Sequence, residues 1–169
     1  MKLGKKLLAV VLAAVLALAM LTACGGDSSA VPVEKEKMQQ VVDNINAVRV
    51  KNGLPELEVN AAAEEIADQK ATLYDKYQRK AITESQYKEQ NNTLDNILVD
   101  GKRYSGYVAT RSIKSAETFM TEEYWQKKYD EGELYHSSTR IVTDPNTTYI
   151  GVSIKKAVDG RFVAVVLTY

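Results

Sequence analysis

One cysteine in 169 residues rules out a disulfide within the chain, and one histidine leaves little from which to build a metal site. Cys24 and His136 do not readily supply the full set of nitrogen, sulfur or carboxylate ligands that zinc requires. Carboxylates alone hold calcium only when many oxygens converge, and no spaced Asp/Asn loop of the EF-hand type occurs. Basic and acidic side chains balance at 22 each, so no positive excess is present to draw nucleic acid. No Gly-x-Ser-x-Gly elbow is found, and Ser137, Ser138 and Thr139 beside His136 are sequence neighbours, which seldom point at one another. No cofactor is indicated. Phenylalanine (two) and tryptophan (one) are scarce, while tyrosine reaches ten. Such a set suits a partly open cleft or interface, or a small domain with a thin core.

What the chain does have begins at its first residues. Lys2, Lys5 and Lys6 precede an apolar run from Leu7 to Met20, which ends at Leu21-Thr22-Ala23-Cys24. A basic start, an apolar core and small residues before a cleavage point make a processing signal, and the run is short for a span of about 20 residues. Leu21 to Cys24 resembles the lipobox of bacterial lipoproteins. The resemblance implies cleavage before Cys24 and a diacylglyceryl group on its sulfur, the thiolate being the nucleophile that accepts a lipid. Each buried methylene contributes about 0.8 kcal/mol, so two acyl chains anchor durably where one would exchange. The expected location is extracytoplasmic, with the cell membrane as a partner through the lipid on Cys24. Removing residues 1–23 takes three lysines and no acid, leaving 19 basic against 22 acidic side chains. Gly25, Gly26, Asp27, Ser28 and Ser29 predict a flexible tether over 24–35, followed by one domain over 36–169.

Within that domain, Met38, Val41, Val42, Ile45 and Val48 recur at helical spacing and predict a helix over about 34–52. Gly53 stops it and Pro55 bars its continuation. Asn60 suits an N-cap for a second helix over about 61–79. Thr83-Glu84-Ser85-Gln86 fits a capping box and starts a polar, mostly solvent-facing helix reaching about Leu98. Arg103 to Ala109 reads as a short strand or loop. From Ser115, a further helix carries Ala116, Phe119, Met120, Tyr124 and Trp125 to about Tyr129. The clearest strand signal is terminal: Thr148 to Ala157 and Arg161 to Thr168 alternate around Val158-Asp159-Gly160 and predict a hairpin. Both faces of its second strand are apolar, which makes that strand central. Helices followed by a hairpin give the α+β class with an antiparallel sheet.

Three segments in this order resemble the CAP superfamily of cysteine-rich secretory, antigen and pathogenesis-related proteins. They are Ile45-Asn46-Ala47-Val48-Arg49 with Asn52-Gly53-Leu54-Pro55-Glu56-Leu57, then Asn60 to Ala71 with Ile66, Ala67 and Ala71, and finally Trp125, His136, Ile141-Val142, Asp144-Pro145-Asn146 and Tyr149-Ile150-Gly151-Val152. The resemblance implies an α-β-α sandwich with a groove across one face of the sheet, which in many members holds two histidines and two acids able to bind a divalent cation. Here the pattern departs. Lys70 stands at the first histidine position, Gly106-Tyr107-Val108 stands where Gly-Glu-Asn belongs, and the spacing from His136 to Ile141 is one residue longer than usual. The groove residues implied are Lys70, Tyr107 and His136. If His136 lines a groove, Tyr135, Tyr129 and Trp125 nearby build an aromatic wall around it. Glu122 or Glu123 stands near the remaining acid position.

The function expected is that of a lipid-anchored binding protein with a degenerate CAP-like domain, which holds a cell-envelope peptide, glycan or lipid and favours binding over catalysis. Two alternatives stay open. One is an envelope hydrolase using His136 with Glu131 or Glu133; the other is a structural or interaction lipoprotein of unrelated α+β fold, docking a partner through the helix around Thr83 to Leu98.

Overall fold

The computed structural model describes residues 31–32, 35–132 and 136–169. Five strands form one sheet: β1 Val31–Pro32, β2 Glu58–Val59, β3 Gly106–Arg111, β4 Tyr149–Lys156 and β5 Phe162–Thr168. The described helices are α1 Lys35–Lys51, α2 Ala61–Gln78, α3 Glu84–Asp95, α4 Ile113–Phe119, α5 Glu122–Glu131 and α6 Ser137–Thr143. None of them is long and apolar enough to cross a membrane. The signal segment, Cys24 and most of the tether lie outside the described residues, and strand pairing begins at Val31, inside the stretch assigned to the tether.

The terminal hairpin is present as β4 and β5, paired from Ile150 opposite Thr168 to Lys156 opposite Phe162. β3 lies along the other side of β5, with Gly106 opposite Thr168 and Arg111 opposite Val163. β5 is therefore central, and this is why both of its faces are apolar. Ala164 and Val166 enter one core, while Val163, Val165 and Leu167 enter the other. The outer edge of β4 carries two short partners, β1 antiparallel at Lys155 and Lys156 and β2 parallel at Tyr149 and Ile150. That parallel pair makes the sheet mixed where an antiparallel one was predicted. A two-residue strand has no alternation to betray it.

One face of the sheet is covered by α1, α4, α5 and α6, whose apolar residues meet Ile150, Val152 and Ile154. On the other face α2 lies across β4 and β5, and α3 packs against α2. The result is an α-β-α sandwich of the α+β class. Gly151 permits the close approach of α2, because a Cβ there would overlap the backbone carbonyl of Ala63. Both predicted caps are in place. Asn60 Oδ1 accepts from the N–H groups of Ala62 and Ala63 at 2.9 and 3.2 Å, and Thr83 and Gln86 close a reciprocal capping box. The helix predicted over 115–129 is instead two, α4 and α5, broken at Met120-Thr121. Asn44 Nδ2 donates to the Met120 carbonyl at 2.7 Å and Trp125 Nε1 to the Phe119 carbonyl at 2.8 Å. Side chains thus take two carbonyls that a continuous helix would have used.

Candidate functional site

Asn46 and Arg49, one turn apart on α1, fix the connector that follows the helix, and Arg49 also holds the end of α6. Asn46 Nδ2 donates to the Leu57 carbonyl at 3.0 Å while its Oδ1 accepts from Leu57 N–H at 2.8 Å, which fixes the connector after α1. Arg49 is wholly buried. Its Nε donates to the Pro55 carbonyl at 2.9 Å, and its Nη1 donates to the Ile141 and Asp144 carbonyls, both at 3.1 Å. Burial lowers the guanidinium's pKa from its ordinary value, and the Asp144 charge opposes this. The last carbonyls of α6 lack partners within the helix, so a cation there satisfies them and suits the negative end of the dipole.

The other end of α6 carries His136 in the N-cap position, exposed, its backbone carbonyl accepting from Thr139 N–H at 3.0 Å. α5 ends just before it at Gly132, where φ is +59°. Lys128, Glu131, His136 and Ser138 line a shallow depression of about 270 Å³ between the two helices. Lys128 Nζ lies 2.6 Å from Glu131 Oε2. That hydrogen bond holds the exposed Glu131 carboxyl below its usual range, with Lys127 and His136 adding to the effect. Trp125 is no wall of this depression. It is fully buried in the core, with its ring centroid 4.9 Å from that of Tyr124 and 5.6 Å from that of Phe119. Glu122 and Glu123 occupy the exposed first turn of α5. Tyr135 and Glu133 lie outside the described residues.

Lys70 and Tyr107 come together, but on the opposite face of the sheet from α6. The Lys70 side chain is 1% exposed, and its Nζ donates to Asn91 Oδ1 at 2.9 Å and to Asp95 Oδ1 at 2.5 Å. It also lies 5.1 Å from the Tyr104 ring centroid and 5.0 Å from that of Tyr107. Tyr104 Oη completes the set by donating to Asp95 Oδ1 at 2.8 Å. Burial lowers the Lys70 pKa, and the hydrogen bond and charge of Asp95 oppose it. Burial first, then neighbouring phenols and Asp95, raises Tyr107 and Tyr169 well above the ordinary phenol value; burial, then Asp95, raises Tyr104. The single groove implied by the resemblance is thus divided between two faces. The donors present do not fit a divalent cation: an ammonium already bound to a carboxylate stands at one ligand position and Lys128 covers the acid beside His136. Among the described residues, no cluster of three or more His, Cys, Asp or Glu side chains could hold a metal ion.

A further groove was not anticipated from the sequence. It has a volume of about 320 Å³ and runs along the outer edge of β4 between α1 and α2. Val152, Ser153 and Ile154 form its floor, Met38, Val42 and Val59 supply apolar walls, and Glu64, Glu65 and Lys35 stand at the rim. No motif marks it. Its only sequence signal is that two short strands leave the middle of a strand edge between them, and neither β1 nor β2 is long enough to be read from the sequence.

A family model described as "CAP: Cysteine-rich secretory protein family" matches residues 42–169. An outer surface protein from Borrelia burgdorferi has a similar structure, with a TM-score of 0.51 and 18% sequence identity over 82% of this chain and 96% of that one. That likeness is one of fold. No curated protein sequence matches the chain. With the family model spanning more than half of the chain and the sandwich, the Asn46–Arg49 frame and the terminal hairpin all in place, the chain belongs to the CAP, or cysteine-rich secretory protein, family.

Proposed function

We propose that this CAP protein is a lipid-anchored, surface-displayed binding protein that holds a cell-envelope peptide, glycan or lipid and does not work by catalysis. The observation that carries the reading is the state of Lys70, whose ammonium is bound to Asp95 and Asn91 inside the fold, at the position where the resemblance puts a histidine. A buried cation already bound to a carboxylate is neither a metal ligand nor a free base. The Leu21 to Cys24 run supports the anchor. The groove between α1 and α2 is the binding seat, because it combines an apolar floor with polar rim groups at a volume typical of small-ligand clefts.

The test co-sediments the mature lipoprotein with isolated peptidoglycan, which offers both peptide and glycan. Met38→Trp fills the groove and is expected to cut sedimentation at least about tenfold, the effect of losing roughly 1.4 kcal/mol. Equal sedimentation of wild type and variant would remove the groove as the seat. In parallel, Cys24→Ser is expected to lose labelling by radioactive palmitate and to leave the membrane fraction. A hydrolase remains the second reading because Glu131 lies within electrostatic reach of His136 in one depression. Release of soluble wall fragments by the wild type, lost in His136→Ala, would establish it in place of the binding reading.

A further inference from the structure

The two ends of the sandwich differ in what they present. At one end are the start of α1, the short strand β1 and the turn that joins β4 to β5. The turn is closed by Gly160 N–H donating to the Ala157 carbonyl at 3.0 Å, with Gly160 at φ +79°. At its tip Val158 is 58% exposed, the most exposed of the large apolar residues described. Lys156 and Arg161, both exposed, flank it, and Lys35 and Lys37 lie at the start of α1. The acid of this turn, Asp159, is engaged by Arg111 Nη2 at 2.7 Å and lies 3.7 Å from Arg161 Nε. An apolar tip between two long cations is the arrangement that settles in a lipid interface, the ring of charges meeting headgroups while the apolar side chain enters the acyl boundary.

The chain also enters the domain here. β1 runs antiparallel to β4 with Val31 opposite Lys156 and Pro32 opposite Lys155, so it is entered from the side of the turn. Six residues, 25–30, separate Cys24 from Val31, and the seven steps between the two span at most roughly 25 Å even when fully extended. A lipid on Cys24 therefore keeps this end near the bilayer. The opposite end, where Leu98 is 42% exposed and nearby Asp100 accepts from Tyr149 at the start of β4, lies at the other end of the strands, roughly 20 Å further along β5.

We propose that the hairpin turn from Lys156 to Arg161, together with Lys35, docks on the anionic headgroups of the bilayer that anchors the protein, with Val158 inserted at the interface. This rests on the lipid-anchor reading above. The occupant is a lipid surface because cations outnumber acids at this end, Lys35, Lys156 and Arg161 standing against the exposed Glu36 while Arg111 engages Asp159, because the apolar tip is a single side chain and not a broad face, and because the anchor enforces proximity. It gives the groove between α1 and α2 a defined bearing: the groove lies along the sheet edge that rises from the membrane, and its ligand reaches it from the side.

The experiment uses the full lipidated protein reconstituted into vesicles containing anionic phosphatidylglycerol. Acylation consumes the natural thiol, so Val158→Cys and Leu98→Cys each offer one site for an environment-sensitive fluorophore. A quencher carried on lipid headgroups is expected to quench the label at 158 several-fold more than the label at 98. The contrast should shrink in vesicles of neutral lipid, in high salt, and in the double variant Lys156→Glu/Arg161→Glu, because each cation near an anionic surface strengthens binding roughly fivefold. Flotation of the protein with the vesicles is scored in the same samples. Flotation with equal quenching at the two positions would overturn the docking and leave the anchor standing, whereas loss of flotation would overturn the anchor and the docking with it.

Discussion

The two faces of the sheet are held by different chemistry. Beneath α1, α4, α5 and α6 the contacts are apolar: Val41, Val42, Ile45 and Val48 of α1 meet Trp125, Phe119, Ile141 and the inward residues of β4 and β5, and the buried cation Arg49 donates its hydrogen bonds to backbone carbonyls. Beneath α2 and α3 the apolar residues are smaller and paired charges stand among them. Lys155 Nζ reaches Asp68 Oδ2 at 2.7 Å, Lys70 reaches Asp95, and Asp75 is gripped by Arg79 at 2.8 Å and Arg111 at 2.9 Å. The first face gains from burial in proportion to area and tolerates imprecision. The second depends on particular pairs, each costly if one partner is removed.

Trp125 gives the largest expected effect. Trp125→Ala empties the centre of the apolar face and removes the bond to the Phe119 carbonyl that ends α4, and it is expected to cost about 3–5 kcal/mol in urea unfolding. That is a large share of the stability of an ordinary domain. A cost below about 1 kcal/mol would break the contrast, because the apolar face would then not be what holds the sandwich.

Alkaline pH attacks the other face. Tyr104, Tyr107 and Tyr169 have pKa values raised above the ordinary phenol value in the folded protein. Above about pH 10 the unfolded chain loses these protons while the native state keeps them, so stability falls as pH rises. The slope approaches about 1.4 kcal/mol per pH unit for a fully buried phenol such as Tyr169, and solvent screening reduces it for the half-buried Tyr104 and Tyr107. Lys70 acts in the opposite sense at lower pH. Its folded pKa is lowered, so the unfolded chain binds the proton more readily, and stability rises with pH until the unfolded lysine titrates near 10.4. Unfolding midpoints from pH 8 to 11 are therefore expected to rise slightly and then fall. The tyrosinate absorbance of Tyr104, Tyr107 and Tyr169 should appear only as the protein unfolds. Free titration of all ten tyrosines in the folded state would contradict the burial.

How much of this was legible in the sequence follows the same division. The apolar face wrote itself as periodicity in α1, and the hairpin as alternation over Ile150, Val152 and Ile154. The capping box at Thr83 and the cap at Asn60 were visible because capping is local. The break between α4 and α5 was not, because Ala116, Phe119, Met120, Tyr124 and Trp125 fit one helix and the carbonyls that end it are claimed by Asn44 and Trp125. Lys70 was singled out by resemblance, yet its partner Asp95 lies 25 residues away across a helix pair, a pairing that no local pattern encodes. The groove along β4 was missed for a similar reason: it is defined by two strands too short to carry a pattern.

Lys70 itself sharpens the comparison at intermediate size. Lys70→Ala strips Asp95 and Asn91 of their shared donor and should cost about 1–3 kcal/mol, whereas Lys70→Met keeps the volume, avoids burying a charge and should cost less. Because α3 contributes little buried apolar surface beyond Leu94, the loss should be local. Hydrogen exchange is expected to speed in α3 while the amides of α1 hold their protection. Equal acceleration in both helices would mean that the two faces unfold as one unit.

The smallest effect belongs to His136. Its side chain is exposed at the start of α6 and makes no capping hydrogen bond there, while its backbone carbonyl accepts from Thr139 N–H and Thr139 Oγ1, at 3.0 and 2.8 Å. Alanine keeps that carbonyl, so His136→Ala should change stability by no more than about 0.5 kcal/mol. Serine at the same position adds the oxygen that an N-cap favours, and His136→Ser should gain roughly 0.5 kcal/mol over the alanine variant. The order serine above alanine, with histidine close to alanine, is the outcome expected if this position serves only to begin a helix on the apolar face. A histidine more stable than both would mean that its ring is held by Glu131 across the depression, giving the apolar face a specific polar pair like those that fasten α2 and α3.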